Sequence, residues 1–361
     1  MKMYNNYKDL LNTLKKRYEF NEVSALIGAG FSKNLYSNFP NWEELLRDMI
    51  IEIFSIEIDD AYSQLRHTKQ YCKHIESKSS FTAKYVTNII NRYGYLDIVS
   101  MYIDKMGYRE CIDLYIEKHI PYLDLSTNQL IFKGHTVEIK QEDTKVHEAL
   151  LSLNKLNNIF TTNYDNIIEE VAKSSKDNTW VKICSSYDLK LSSLFKPIVK
   201  VHGDIRKKDD YNFHFDGDHN IQYVISKQDY EDYPRKHEAF MQLMRLSLLR
   251  ETFMLFGFSG DDPNFVAWVK WVRDILVKNK DQDSEISTSE YYKIYLFAVD
   301  DKEPADDKIQ YYINNHIIYI PILNSKILSL IGLPEDCKDV QKVIIKILTT
   351  RQKIKHPTPI A

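Results

Sequence analysis

The sequence predicts an α/β protein, a doubly wound parallel sheet with an inserted helical subdomain, and three observations predict it. Short, nearly continuous apolar runs recur at VSALI, NNIFTTN, PIVKVHGD, TFMLFGFSG, YYKIYLFAVD and HIIYIPI, as expected of strands covered on both faces. Helical patterns separate several of these runs, the alternation that builds parallel sheets. Residues 60 to 120, in contrast, contain almost no glycine or proline and read as helices alone.

Taken in order, Val23 to Ile27 is the first strand and ends at Gly28. A helical face resumes after Pro40 with Trp42, Leu45, Leu46, Met49, Ile50, Ile53 and Phe54. Asn41, with Glu44 three residues on, has the pattern of a capping box and sets the start of that helix. The segments DAYSQLRHTKQYCKHI, SFTAKYVTNIINRY and YRECIDLYIEKHI form the helical insertion, and QLIFKGHTVEIK reads as a peripheral hairpin turning at Lys133 and Gly134. After TKVHEALLSLNK the strands return, with helices expected at Met241 to Arg250 and Asn264 to Lys278. The expected division is a sheet domain of residues 1–58 and 143–335, a mainly helical insertion of residues 59–142, and a C-terminal helix and tail of residues 336–361.

Composition narrows the function classes. Lys and Arg number 48 against 51 Asp and Glu, a formal net charge of −3, so direct nucleic-acid binding is not indicated. The apolar fraction of 43% and the 25 tyrosines exclude a disordered chain. The first residues carry no unbroken apolar stretch, and no uncharged apolar run reaches the roughly 18 residues of a membrane span, which predicts a cytoplasmic protein without membrane contact. Cys72, Cys111, Cys184 and Cys337 are too far apart for a zinc ribbon and read as reduced thiols. HFDGDHN, with His214, Asp216, Asp218 and His219, fits a hairpin turn better than a metal site, so no metal is expected. RKKDD at 206–210 reads as a solvated loop, and HPTPIA as a fraying tail.

The chemistry is expected where strands end in small or polar residues: GAGFS, TTNYD, HGD and GFSGDDPN. In open parallel sheets ligands bind beyond the carboxyl ends of the strands, so these distant loops can converge. Gly28 and Gly30 allow close approach of backbone to a ligand, and a following helix N-terminus suits phosphate; a glycine turn for tight packing explains GAGFS equally well by itself. There is no GK[ST] and no GxGxxG, which argues against a P-loop triphosphatase and against a dehydrogenase.

In combination, GAGFS, TTNYD, VHGD and FGFSGDDPNF, each following an expected strand, resemble the sirtuin-like NAD-consuming family over roughly residues 20 to 270. The bacterial sirtuin-like branch of antiphage defence systems is closer still: Pro40 and Trp42 follow the glycine loop, an extended stretch YVISKQDY ends in a DY pair, and a GFSxxDP turn is present. Residues 203 to 256 contain no cysteine, so the zinc module of deacylating sirtuins is absent from the sequence and acyl-lysine binding is not expected.

The resemblance implies a sirtuin-like, Rossmann-like NAD-binding domain and an NAD+ glycohydrolase that releases nicotinamide and ADP-ribose. NAD+ is then the substrate. It puts Asn163 and His202 at the catalytic positions, Asn163 to orient ribose and water and His202 as the base. A lone histidine reads better as a core residue, but the place of His202 in the HGD strand end beside the other loops favours catalysis. The nucleotide is expected at Gly28, Ala29, Gly30, Phe31, Ser32, Thr162, Asp165, Gly257, Ser259 and Asp262. Ser32 is expected on a phosphate. Asp165 reads either as a ribose or loop partner or as the cap of the helix NIIEEVAK, and Ser259 and Asp262 either as adenosine-ribose contacts or as turn residues. Trp42 reads as core rather than a stacking platform. The branch further implies antiviral action by NAD+ depletion, a homo-oligomer, and control by a HerA-type ring ATPase or other regulatory subunit, since no sensor domain is evident in the sequence. A scaffold that binds NAD or ADP-ribose, and a nuclease-associated subunit, are the competing readings.

Overall fold

The computed structural model describes residues 7–68, 77–132, 134–175, 179–205, 223–258, 262–278, 294–302, 304–315 and 317–349. Among these residues β1 (Val23–Ile27) is followed by three short strands, β2 (Tyr122–Asp124), β3 (Gln129–Phe132) and β4 (His135–Glu138). Then come β5 (Leu156–Thr161), β6 (Trp180–Ile183), β7 (Lys196–Lys200), β8 (Thr252–Phe256), β9 (Ile294–Ala298) and β10 (Ile317–Pro321). Seven of them form a parallel sheet in the order β10-β9-β8-β1-β5-β7-β6.

Strand side chains alternate between two cores. Val23, Ala25 and Ile27 of β1 and Met254 and Phe256 of β8 face one, while Leu26 of β1 and Phe253 and Leu255 of β8 face the other. Both faces are therefore apolar and covered, the physical reason the runs read as continuous rather than alternating. From β1 the chain adds β5 on one side and later β8 on the other. The switch point of this doubly wound sheet lies at the carboxyl ends of β1 and β8, where crevices form.

The helix Trp42–Ile53 begins as expected: Asn41 accepts from the Glu44 amide and Glu44 accepts from the Asn41 amide, both at 2.8 Å. The hairpin β3–β4 also forms, with Phe132 opposite His135 and Gly134 at φ +76°, Lys133 lying outside the described residues. It is not peripheral, because β2 joins it, Leu123 and Leu130 are fully buried, and the Asn166 amide bonds both the N–H and the carbonyl of Leu123 at 2.8 Å. The expected boundary at residues 58 and 59 falls inside the helix Ser55–Thr68. Helices Tyr95–Met106 and Cys111–His119 share their buried residues with the core of the sheet domain, so the insertion is an extension of that core.

Two further corrections concern local chemistry. YVISKQDY is extended only at its start: the Ser226 hydroxyl accepts from Asp229 N and the Asp229 carboxylate from Ser226 N, a capping box that starts the helix Lys227–Lys236 and puts Asp229 and Tyr230 in its first turn. GAGFS itself also holds a single helical turn, Ala29–Ser32, directly after Gly28. The expected turn in HFDGDHN, the RKKDD loop and the HPTPIA tail lie outside the described residues.

His147, on the helix Lys145–Leu151, is fully buried with its ring edge-on to Phe31 at 4.7 Å. Neither ring nitrogen has a hydrogen-bond partner among the described residues, and burial pushes its pKa down to about 3. The unfolded chain takes up this proton near the ordinary histidine value of about 6.5, so the folded state binds fewer protons below that pH. Stability is therefore intact above the unfolded value and falls as the pH drops toward the folded one, by up to about 1.4 kcal/mol per pH unit from this group. We expect His147→Leu to flatten that slope, read from urea unfolding at neutral and mildly acid pH.

Candidate active site

The glycines close a seam before they open a pocket. Gly28 N donates to Phe256 O and Gly30 N to Gly257 O, each at 3.0 Å, which locks the turn after β1 against the turn after β8. A Cβ on Gly28 would stand 2.6 Å from Gly257 O, and one on Gly257, at φ +57°, would stand 1.9 Å from Phe31 N. Tight packing is thus an observed role of GAGFS, and two cavities border the seam it makes. One, of about 580 Å³, is lined by Gly28, Ala29, Gly30, Thr162, Asn163, Asp165, His202, Gly257 and Asp262, all expected from the sequence. The other, of about 660 Å³, lies over the ends of β8, β9 and β10 and shares Gly30, Gly257 and Phe258 with the first.

Asn163 stands just past β5, where its amide N–H is held by Thr161 Oγ1 at 3.0 Å. Its side-chain Nδ2 donates to Ser32 Oγ at 3.0 Å, and Ser32 Oγ donates onward to Asp165 Oδ2 at 2.9 Å. The expected phosphate contact of Ser32 thus gives way to an internal bond, because a fully buried hydroxyl needs partners where water is absent. Asp165 Oδ1 accepts from Ile167 N at 3.0 Å, a turn bond made one residue ahead of the N-cap Asn166, so this carboxylate is a loop partner that also holds the first amide of the helix Ile167–Ser174. The relay consumes one end of the Asn163 amide. The other end, Oδ1, is buried with no partner among the described residues, on the wall of the first cavity.

His202 follows β7 and is almost wholly buried. Its Nε2 lies 3.7 Å from Asp262 Oδ2 and has no hydrogen-bond partner among the described residues. Burial lowers its pKa and the Asp262 carboxylate partly restores it, so the imidazole is neutral at neutral pH. Asp262 is fixed in turn: Oδ1 caps the helix Pro263–Lys278 through Phe265 N, and Oδ2 accepts from Tyr230 OH, both at 2.9 Å.

A buried charged cluster holds the loop carbonyl of Asp165. Lys200, fully buried at the end of β7, reaches Glu169 at 3.2 Å and Asp204 at 3.1 Å and donates to the Asp165 carbonyl. Asp204 also holds Lys182 at 2.5 Å. Burial drives the Lys200 ammonium down, but Glu169, Asp204 and Asp165 outweigh it and hold its pKa above the ordinary value. Burial pushes Glu169 up to about 7 against the pull of Lys200.

Of the remaining expected residues, Phe31 lines the second cavity and Ser259 lies outside the described residues. Trp42 is half-buried, tilted against Tyr95 with 6.2 Å between ring centroids, and forms cavity wall as well as core. Sequence reasoning missed Tyr164 and Tyr230 on the first cavity and Asp300, Lys308 and Tyr312 on the second. It also missed the Lys200 cluster, although a lysine inside the apolar run PIVKV, four residues before Asp204, was a usable signal. No group of three His, Cys, Asp or Glu among the described residues could hold a metal ion, and no described helix is long and apolar enough to cross a membrane.

The fold is that of a Rossmann-like α/β protein, consistent with a sirtuin-like fold, with strand-end loops gathered at one switch point. A family model, the SIR2-like domain, matches residues 157–320. It is similar to an NAD(+) hydrolase ThsA of Acinetobacter baumannii, 24% identical over 260 residues, 71% of this chain and 40% of that protein. Defense-associated sirtuin 2 of Bacillus subtilis is 24% identical over 189 residues, 52% of this chain and 17% of the relative. An NAD(+) hydrolase ThsA of Bacillus cereus is 32% identical over 142 residues, 38% and 26% of the two chains. The aligned part of this chain thus spans less than half the length of each of these curated relatives.

Proposed function

We propose that the chain is an NAD+ glycohydrolase that cleaves the bond between nicotinamide and ribose. The observation that carries the reading is a pair of buried polar atoms without a hydrogen-bond partner among the described residues, Asn163 Oδ1 and His202 Nε2, in residues that line one cavity. A buried polar atom without a partner costs free energy unless a ligand satisfies it. The printed names of the ThsA relatives support NAD+ as substrate, and that of the defence-associated sirtuin supports a role in antiphage defence.

In this reading the dinucleotide spans the seam, with its pyrophosphate at Gly28 to Gly30 and Gly257 and its adenosine half over β8, β9 and β10. Asn163 Oδ1 accepts from a ribose hydroxyl or the attacking water, and the Ser32–Asp165 relay prevents the amide from turning over. Neutral His202 takes the proton as water adds to the anomeric carbon, and nicotinamide leaves as a neutral base. The products are nicotinamide, ADP-ribose and a proton. Such an activity would drain the NAD+ of its own cell, so control belongs to the proposal: a homo-oligomer gated by a HerA-type ATPase or other regulatory subunit in the bacterial cytoplasm, supported by the resemblance to the defence branch.

The test is incubation of wild-type protein and Asn163→Ala with NAD+, with and without candidate partners, and separation of the products. Nicotinamide and ADP-ribose are expected from the wild type alone. Tight nucleotide binding without release under any condition would overturn the enzymatic reading in favour of a binding scaffold. Ser32→Ala is expected to lower kcat by roughly 10- to 100-fold with little change in KM, since it frees the Asn163 amide without touching substrate.

A further inference from the structure

One arginine of the helical insertion reaches the segment that braces His202. Arg109 lies between helices Tyr95–Met106 and Cys111–His119. Its Nη2 donates to Tyr223 O at 2.8 Å and to Asp229 Oδ2 at 2.9 Å, and its Nη1 donates to Asp113 Oδ1 at 3.1 Å. Asp229 Oδ2 also accepts from Ile225 N at 3.2 Å and Ser226 N at 2.8 Å, so the guanidinium completes the cap of the helix Lys227–Lys236.

Residues 223 to 233 are stitched to both sides of the histidine. Val224 N donates to His202 O at 2.9 Å, and Tyr164 OH to Val224 O at 2.8 Å. Tyr233 OH donates to Val201 O at 2.9 Å, and Tyr230 OH to Asp262 Oδ2 at 2.9 Å, the carboxylate facing the imidazole. The rings of Tyr230 and Tyr233 stand edge-on to the imidazole, at 5.4 and 6.1 Å between centroids. One guanidinium therefore anchors the brace that sets the backbone, the ring walls and the charged neighbour of His202.

We propose that Arg109 is a positioning residue through which the helical insertion controls the placement of His202 and Asp262. It acts through Asp229, Tyr223 and Tyr230 and touches no reacting atom. Its planar fork aims Nη1 at Asp113 and Nη2 at Asp229 and the Tyr223 carbonyl in fixed directions, whereas a lysine ammonium at this position is a rotating point charge that sets no such geometry. A partner that shifts the turn at Arg109 thereby alters the site without entering it. The inference rests on the glycohydrolase reading for its kinetics and not for its geometry.

The experiment uses the full chain as wild type, Arg109→Gln, Arg109→Lys and Asp229→Asn, with Lys105→Met as control. Lys105 ties the same insertion to the Glu52 and Ile53 carbonyls, at 3.0 and 2.9 Å, but does not reach the brace. Near-ultraviolet circular dichroism establishes folding, and the aspartate variant stands in if the arginine variants do not fold. Turnover of NAD+ is expected to fall roughly 10- to 100-fold in kcat for Arg109→Gln with KM little changed, less for Arg109→Lys, and not measurably for Lys105→Met.

The second readout needs no turnover: the His202 ring titration by NMR on carbon-13-labelled histidine, assigned by its loss in His202→Gln. In Arg109→Gln it is expected to move toward the ordinary value of about 6.5, as the loosened brace admits water. A folded arginine variant with unchanged kcat and unchanged titration overturns the coupling while leaving the glycohydrolase reading intact. A moved titration in a protein that never turns over NAD+ supports the coupling and removes the activity.

Discussion

Alanine in place of His202 is expected to lower NAD+ turnover by roughly 10²- to 10⁴-fold, the range of a lost general base. The imidazole packs against Tyr230 and Tyr233, so truncation also opens a small cavity, and thermal unfolding must be measured beside the kinetics. The pH profile separates base catalysis from packing. Only neutral imidazole accepts the proton, so kcat/KM rises with pH through the free-enzyme pKa of His202. Burial lowers that pKa, which puts the acid limb below the ordinary histidine range and leaves the rate flat at neutrality. Asp262 opposes burial by stabilising the charged ring, so Asp262→Asn is expected to move the limb further toward acid. A limb unmoved in that variant would assign the titration to another group.

Gly257→Ala is expected to be the most damaging small substitution on the sheet, costing about 3 kcal/mol or more. Two effects add. The residue sits at φ +57°, where a side chain is strained, and its Cβ would stand 1.9 Å from Phe31 N, where no rotamer can relieve a clash with backbone. Gly107→Ala isolates the first effect: φ is +80° but nothing lies within 4 Å of the added carbon, so a cost of only about 1 kcal/mol is expected. Urea unfolding of the two variants compares them directly. Equal costs would mean that the seam between the turns after β1 and β8 yields more easily than its geometry implies.

Much of this protein was legible as pattern. The strands of the large sheet other than β6 are apolar runs bounded by turn residues, and the Asn41–Glu44 box is a local signal read locally. Nine of the expected ligand and catalytic positions line one cavity because they lie at strand ends, and the parallel topology puts those ends on one edge of the sheet. β6 was missed because WVKI is a short edge strand whose Lys182 turns to Asp204, which breaks the apolar run. Ser32 was aimed at a phosphate because its partners, Asn163 and Asp165, are more than a hundred residues away. YVISKQDY, residues 223–230, reads as extended from its apolar start, yet its second half opens the helix Lys227–Lys236. The Ser32 pairing is set by tertiary packing, of which local propensity carries no trace, whereas Ser226 three residues before Asp229 is a local capping signal of the Asn41–Glu44 kind.

The seam at Gly28 and Gly257 has a consequence for synthesis. The cavity needs Gly28 from the first strand end, Asn163 and His202 from the middle of the chain, and Gly257 and Asp262 from far downstream. A chain emerging from the ribosome presents its amino-terminal part first, and contacts between distant segments form late. No truncated nascent product that stops before residue 262 can assemble both walls of the pocket. A pocket built this way stays open while the chain is being made, and an interrupted message yields fragments that cannot close it.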